Sequence, residues 1–454
     1  MTAENKTYIT TTLPYANSVA HVGHALEFVQ ADFWKRYLPN SYLNIGLDEH
    51  GKKIEDKALS QGISPIELVN DLSDKWKSFC ELFLINYDNF YRTSDKTHHN
   101  KVKEVWNKIL DNNEIYLKDY EGYYCKNCEE FKTPSNNIDG FCSDHPTTKL
   151  EKVNETNYFF NLSKFKNLNS NIVFPINKRK ELQNIIDNSI DISVSRESVN
   201  WGVSVPNSEQ TIYVWFEALL NYIFSNKDWD NTTNIQICGP DNLRFQGHFF
   251  QGILESLGLK QTDKLFVHGT ILDKNGDKIS KSVGNIIDPI EQVEKFGINA
   301  VRYYLLKGIS TFGNSKWDEE RIVSEFNSDI SDNLGNLISR VTHLCNLNNI
   351  VLSSNDSYTK KLSINISFIQ EKFGIDNDIS DYLSSISHIL KDCNKYINDE
   401  TPWKLEDPTE VLSNLHYAIT EITELYRPVF GDDKIDSVLS SIKEYKKENY
   451  FPKL

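Results

Sequence analysis

Methionine is almost absent from this chain: Met1 is the only one in 454 residues. The composition leans instead toward Ile, Asn, Lys and Ser, the drift that an AT-rich genome produces. Long apolar runs are missing too. None approaches the roughly 20 residues that a membrane-spanning helix needs, which excludes an α-helical membrane protein. Residues 1–7 hold neither an apolar signal core nor an Arg- and Ser-rich transit pattern. A cytoplasmic protein with no membrane partner is expected. Positive charge is scarce: Lys and Arg total 49 against 64 Asp and Glu, so 49 − 64 = −15. That excludes a protein that coats nucleic acid wholesale but leaves room for a local basic face. The seven cysteines are an odd number, and three of them cluster between Cys125 and Cys142. This is no disulfide framework. Cys80, Cys238, Cys345 and Cys393 read as small buried hydrophobes.

What is present begins with a strand, a turn and a helix. Tyr8 to Thr12 reads as a buried strand, and Leu13-Pro14-Tyr15-Ala16-Asn17-Ser18 is turn chemistry. Val22, Leu26, Val29, Phe33 and Tyr37 then fall at i, i+4, i+7, i+11 and i+15, one face of an α-helix. His21 and His24, in His21-Val22-Gly23-His24, stand at its N-terminal end. Backbone N–H groups and the helix dipole favour anions there. Two imidazole donors suit the phosphates of ATP and the charge that grows on them during transfer. Gly23 has no Cβ and lets a base come close to the backbone. An isolated pair of this kind also serves as a plain helix cap; its context favours the nucleotide.

A second motif, Lys278-Ile279-Ser280-Lys281-Ser282, follows the polar turn Asp273–Asp277 and precedes Val283-Gly284-Asn285. Two lysines and two hydroxyls on a loop can close over a triphosphate and neutralise departing pyrophosphate. A lone run of this type is usually a solvated loop. Paired with the histidine motif it points to formation of an adenylate.

Between the two lies Cys125-x-x-Cys128 and then Cys142-x-x-His145, with 13 residues between the halves. The spacing suits one tetrahedral Zn²⁺. Four protein ligands leave no open position, so the site is expected to be structural.

These residues resemble the class I aminoacyl-tRNA synthetases, the methionyl family in particular, over roughly Tyr8 to Phe430. The marks are Leu13-Pro14-Tyr15-Ala16-Asn17 before the histidines, Gly46-Leu47-Asp48-Glu49-His50-Gly51, Trp201-Gly202, Tyr213-Val214-Trp215 and Gly239-Pro240-Asp241-Asn242. After the lysine loop come Arg302-Tyr303-Tyr304-Leu305, Asp332-Asn333-Leu334-Gly335-Asn336-Leu337 and Thr401-Pro402-Trp403. The resemblance implies an α/β fold. A Rossmann-type parallel-sheet catalytic domain is split by a zinc-knuckle insertion and followed by an all-α helix-bundle anticodon-binding domain. It implies ATP-dependent activation of L-methionine, with Mg²⁺, and transfer to tRNA(Met). Asp48 would hold the substrate's α-amino group. Leu13, Tyr15, Trp215, Ala218, Tyr222, Asn242 and Gln246 would line the amino-acid pocket. Gly239 and Asp241 would meet the adenosine, beside the ATP contacts of His21, Gly23, His24, Lys278, Ser280, Lys281 and Ser282. Arg196 matches a family arginine beside the active site and counts, with His21, His24, Lys278 and Lys281, as a catalytic candidate. Two departures stand out: Ile279 replaces the usual Met of the loop, and Gln246 stands where the family usually has His.

From about Phe326 the pattern is helical. Ile330, Leu334, Leu337, Val341 and Leu344 form an apolar stripe, and Asn336 and Arg340 lie to one side of it. An amide and a guanidinium side by side can read unpaired bases, with Trp403 to stack on one. The resemblance assigns this cluster to the anticodon. The expected segments are 1–115 and 207–270 for the catalytic domain, 116–206 for the insertion with its knuckle at about 120–150, 271–325 for the lysine loop and stem-contact region, and 326–454 for the anticodon-binding domain. The chain stops at Leu454 with no appended dimerisation domain, so a monomer is expected. The alternatives are a catalytically inactive tRNA-binding paralogue, in which the two ATP motifs would be lost, and a class I synthetase for another small apolar amino acid.

Overall fold

The computed structural model describes all residues except 1–5, 126–129, 133–136, 144–147, 280–283, 351–364, 367–368, 370–372, 375 and 447. Two compact units emerge. One comprises residues 1–19, 40–80 and 87–267, the other residues 20–39, 81–86 and 268–454.

The first unit is built on a six-stranded sheet: β1 (Thr7–Thr11), β2 (Ser41–Leu47), β3 (Asn89–Arg92), β4 (Val173–Phe174), β5 (Thr233–Cys238) and β6 (Lys264–Val267), in the order β3-β2-β1-β5-β6-β4. Every pairing in it is parallel. Parallel strands are covered on both faces and read as continuous rather than alternating burial; β1 and β5 follow that rule, each buried after its first residue. The order reverses between β1 and β5, whose partners run from Thr7↔Thr233 to Thr11↔Ile237. In an open α/β sheet the crevice beyond the carboxyl ends at such a reversal is where ligands sit. Leu13 to Tyr15 leave the end of β1, and Gly239 to Asn242 leave the end of β5.

Between β3 and β4 an antiparallel sheet is inserted. Its longest strands, Ile115–Cys125 and Glu151–Phe160, pair along ten residues from Ile115↔Phe160 to Tyr124↔Glu151. The far end of that pair carries Cys125.

The second unit is mainly helical. Its first element, α1 (Val22–Tyr37), buries far more than one stripe: every residue from Ala25 to Trp34 is buried. Arg302, fully buried on helix Ile298–Lys307, donates to Asp32 of α1 at 2.6 Å and to the carbonyls of Phe83 (2.6 Å) and Val429 (2.7 Å). One guanidinium thus joins α1, the short connector 81–86 and the C-terminal helices. Residues 326–335 form a π-helical segment that continues as helix Asn336–Leu347. Ile330, Leu334, Leu337 and Val341 are fully buried, as the stripe requires. Leu344 is half-buried.

Candidate active site

In the second unit the quartet begins α1 as expected, with His21 as its N-cap. The capping is reciprocal. The Gly23 N–H donates to His21 Nδ1 at 3.0 Å, and the His21 N–H donates to His24 Nδ1 at 3.2 Å. This is a capping box made of imidazoles, with ring centroids 3.9 Å apart. An Nδ1 that accepts carries no proton, so each neutral ring carries its proton on Nε2. The cap therefore selects the tautomer that presents an Nε2–H donor. Gly23 has a local reason as well: a Cβ there would stand 2.8 Å from His21 Cε1. One turn along, Glu27 Oε2 meets His268 Nε2 at 3.1 Å, while His268 Nδ1 lies 2.7 Å from the Gly269 carbonyl.

The lysine loop belongs to the same unit. Lys278 is exposed and Ile279 buried; Ser280, Lys281 and Ser282 lie outside the described residues. The base of the loop is held closed. Asn285 Nδ2 donates to Asp273 Oδ2 (3.0 Å) and to the Lys278 carbonyl (3.2 Å), and Asp273 also accepts the N–H groups of Asn275 and Asp277. The Asn285 bond and these backbone donors hold the Asp273 carboxyl below its ordinary pKa. Just beyond, the Ile287 carbonyl accepts the Val22 N–H at 3.3 Å. The two motifs, some 250 residues apart in sequence, are thereby tied together within one unit.

The residues expected to line the amino-acid pocket belong to the first unit. Asp48, only 4% exposed, bridges to Tyr15 in parallel fashion; its carbonyl accepts the Ala16 N–H at 2.7 Å and its N–H reaches the Pro14 carbonyl at 3.0 Å. Trp215 and Ala218 lie on helix Val214–Leu219, and Trp215 stacks on Phe245 at 4.0 Å. Gln246 sits in a π-helical turn, Phe245–Phe249, a feature that recurs at functional sites. Its Nε2 donates to Thr12 Oγ1 (3.0 Å) and to the Tyr222 hydroxyl (3.2 Å), which lies 3.2 Å from the Thr11 carbonyl; Asn242 Nδ2 also reaches Thr12 Oγ1 at 3.3 Å. Gln246 is fully buried, and among the described residues its Oε1 has no hydrogen-bond partner. Gly239 and Asp241 follow β5, Asp241 being exposed. Leu13 is buried after β1.

Arg196 is 4% exposed. Its Nη1 donates to the carbonyls of Ser193 (3.1 Å) and Ser195 (2.7 Å), and its guanidinium lies 4.1 Å from the Tyr213 ring centroid. It also lies 5.8 Å from the ring centroid of Tyr124, on the long hairpin.

A buried network beside the pocket has no counterpart in the sequence reading. Glu217, on the Trp215 helix, meets His50 Nδ1 at 2.7 Å and His98 Nε2 at 2.5 Å. His98 Nδ1 lies 2.9 Å from the Tyr91 hydroxyl, and His50 Nε2 lies 3.2 Å from His99 Nε2. Burial would push the Glu217 carboxyl up, but His50 and His98 outweigh it and hold the group ionised. Burial, and next the neighbouring His50, brings His99 down to about 4. The adjacent histidines at 98 and 99 were the available clue; nothing local connects them to Glu217.

Of the expected metal ligands, Cys125 and Cys142 are buried and cluster with Leu150. Cys128 and His145 lie outside the described residues. Thiolates are soft ligands of the kind zinc takes, although among the described residues no group of three or more potential ligands is brought together.

In the helical region Asn336 is exposed and Arg340 half-buried. Arg340 donates to Asn398 Oδ1 at 3.0 Å and lies 5.9 Å from the ring centroid of Trp403, which is 49% exposed. Arg340 and Trp403 are thus brought together across 63 residues of sequence.

Residues 7–151 and 144–342 match the family model described as tRNA synthetases class I (M). The methionine–tRNA ligase of Rickettsia prowazekii is 33% identical, the match covering 99% of this chain and 95% of that protein. That of Rickettsia conorii is 33% identical over 92% of this chain and 88% of its own length. The chain belongs to the methionyl family of class I tRNA synthetases. A solved structure of the Mycobacterium tuberculosis member, in complex with methionyl-adenylate, superimposes with a TM-score of 0.88 at 28% identity, covering 96% of this chain and 93% of that one. The synthetase is therefore an enzyme of tRNA aminoacylation, with a parallel-sheet α/β core and a helical C-terminal region.

Proposed function

We propose that this synthetase joins L-methionine to ATP as methionyl-adenylate and passes the methionyl group to tRNA(Met). The methionine carboxylate attacks the α-phosphate, and pyrophosphate leaves with Mg²⁺. His21 and His24 donate from Nε2 to the phosphate oxygens as charge develops. Lys278 and Lys281, with Ser280 and Ser282, neutralise the leaving group. Gly23 keeps the helix start open, and Gly239 and Asp241 hold the adenosine. Asp48 binds the α-ammonium group. Leu13, Tyr15, Trp215, Ala218, Tyr222, Asn242 and Gln246 enclose the side chain, and Arg196 braces the site from the insertion. No protein nucleophile is needed; catalysis is positioning plus electrostatics. The observation that carries this reading is the reciprocal capping of His21 and His24, which leaves each neutral ring its proton on Nε2 at a helix N-terminus. The related Mycobacterium protein was solved with methionyl-adenylate, the intermediate this mechanism requires.

In the same reading Asn336, Arg340 and Trp403 recognise the CAU anticodon, Trp403 by stacking. Cys125, Cys128, Cys142 and His145 hold one structural Zn²⁺, which would fasten the tip of the insertion. The enzyme works as a cytoplasmic monomer, with 1–115 and 207–270 serving catalysis, 116–206 metal binding, 271–325 loop closure and stem contact, and 326–454 anticodon reading. Charging of a tRNA(Met) transcript tests the proposal. Methionine should be esterified to the CAU transcript, and Arg340→Ala or Trp403→Ala should raise the KM for tRNA while leaving adenylate formation intact. Equal charging of a transcript with an unrelated anticodon would refute the anticodon assignment.

A further inference from the structure

The proposed pocket has two walls that come from different parts of the chain. Asp48 follows β2, whereas Trp215 and Ala218 lie on helix Val214–Leu219, more than 160 residues later. Glu217 lies between Trp215 and Ala218 in that helix, and its partner His50 is two residues past Asp48. We infer that Glu217 is a positioning residue of the amino-acid pocket, holding the wall that carries Trp215 and Ala218 at a fixed distance from the Asp48 anchor. The inference rests on the pocket assignment proposed above.

Three observations support it. Glu217 is fully buried, and both of its carboxylate oxygens are engaged, Oε1 by His50 and Oε2 by His98. An ionised carboxylate only accepts, so His50 Nδ1 and His98 Nε2 must both carry protons. The outer nitrogens are engaged in turn: His98 Nδ1 lies 2.9 Å from the Tyr91 hydroxyl, and His50 Nε2 lies 3.2 Å from His99 Nε2. Each ring is thus held at both nitrogens, which fixes its orientation. Finally, the Asp48–Gly51 turn is gripped from the other side. The Gly51 N–H donates to the Trp201 carbonyl at 3.0 Å, Trp201 Nε1 donates to the Glu49 carbonyl at 2.6 Å, and Arg92 Nε donates to Glu49 Oε1 at 2.7 Å. The turn is rigid, and Glu217 is the tie from it to the pocket helix.

Glu217→Gln tests this. A carboxamide has one acceptor and one donor end, so it must face one imidazole N–H with its own N–H. The KM for methionine should rise at least tenfold, with the KM for ATP within twofold of wild type. The low-field imidazole N–H resonance of His50 should shift or vanish in the NMR spectrum. His50→Asn, whose amide N–H can replace Nδ1–H, should retain most methionine affinity, while His50→Ala should not. An unchanged methionine KM in folded Glu217→Gln would overturn the inference. So would a parallel rise in both KM values, which would mean a general loss of structure. Should Glu217→Gln not fold, the His50→Asn and His50→Ala pair decides: equal methionine KM values overturn the inference. Wild-type enzyme that fails to activate methionine, with the His50 resonance present and lost in Glu217→Gln, would refute the pocket assignment and leave the network intact.

Discussion

His21 and His24 cap the same helix end for each other, each giving its Nδ1 to a backbone N–H of the quartet. The two nitrogens of each ring are thereby distinguished: Nδ1 holds the helix, and Nε2 carries the proton of the neutral ring. Asn offers an acceptor where Nδ1 stands but has nothing at Nε2. His21→Asn should therefore keep stability within about 1 kcal/mol, since Asn is a good N-cap, and so should His24→Asn, whose carboxamide oxygen can still accept the N-cap N–H from the third helical position. Adenylate formation should fall by about a hundredfold or more, the usual effect of deleting one donor to a transition-state charge. Thermal melts and ATP–pyrophosphate exchange on the same samples check both halves. Loss of stability and activity together would mean that the rings serve only the fold.

Arg302 and Asp32 form an ion pair in which both side chains are fully buried. Asp32→Asn leaves Arg302 as an uncompensated buried charge, which costs about 3–5 kcal/mol, whereas Arg302→Met leaves Asp32 its second partner, Arg36 at 2.9 Å. In urea titrations Asp32→Asn should show a loss of that order and Arg302→Met a smaller one. The double variant should lose less than the sum of the two, because the Arg302 charge is then gone with its partner.

His248 is neutral inside the fold. Burial, with Arg244 nearby, brings its pKa from the ordinary 6.5 to about 4. Between those values the unfolded chain takes up the proton and the folded chain does not, so this group's contribution to stability falls as pH drops through that window. The wild-type Tm should therefore drop relative to His248→Gln between about pH 7 and about pH 4.5. A constant difference between the two proteins would rule the effect out.

If Cys125 and Cys142 are half of a zinc site, purified enzyme should contain one zinc per chain. Cys125→Ser and Cys142→Ser should reduce it well below that, and a strong chelator should lower Tm in wild type more than in either variant. Metal-free enzyme of undiminished Tm would contradict the assignment.

What could be read in the sequence was local or periodic. The strand–turn–helix around His21 follows from β-branched residues, a Pro-Asn turn and a 3.6-residue apolar period. The stripe from Ile330 to Val341 follows from the same period, and so does the exposure of Asn336. The pairing of Arg340 with Trp403 came from resemblance alone. Other features had no local signal. Glu217 meets His98 across 119 residues and Arg302 meets Asp32 across 270; at either end each residue reads as an ordinary surface charge. The π-helical turn that aims Gln246 at Thr12 and Tyr222 leaves no period in the sequence. The capping geometry of His21 could be guessed only as an alternative to phosphate binding. The structure shows the capping, and the proposed phosphate contacts build on it.

The most direct measurement is ATP–pyrophosphate exchange with each of the twenty amino acids in turn. Methionine should drive exchange far above all others, and His24→Asn should abolish most of it. Exchange driven better by another amino acid, or methionine-dependent exchange that survives His24→Asn intact, would contradict the account.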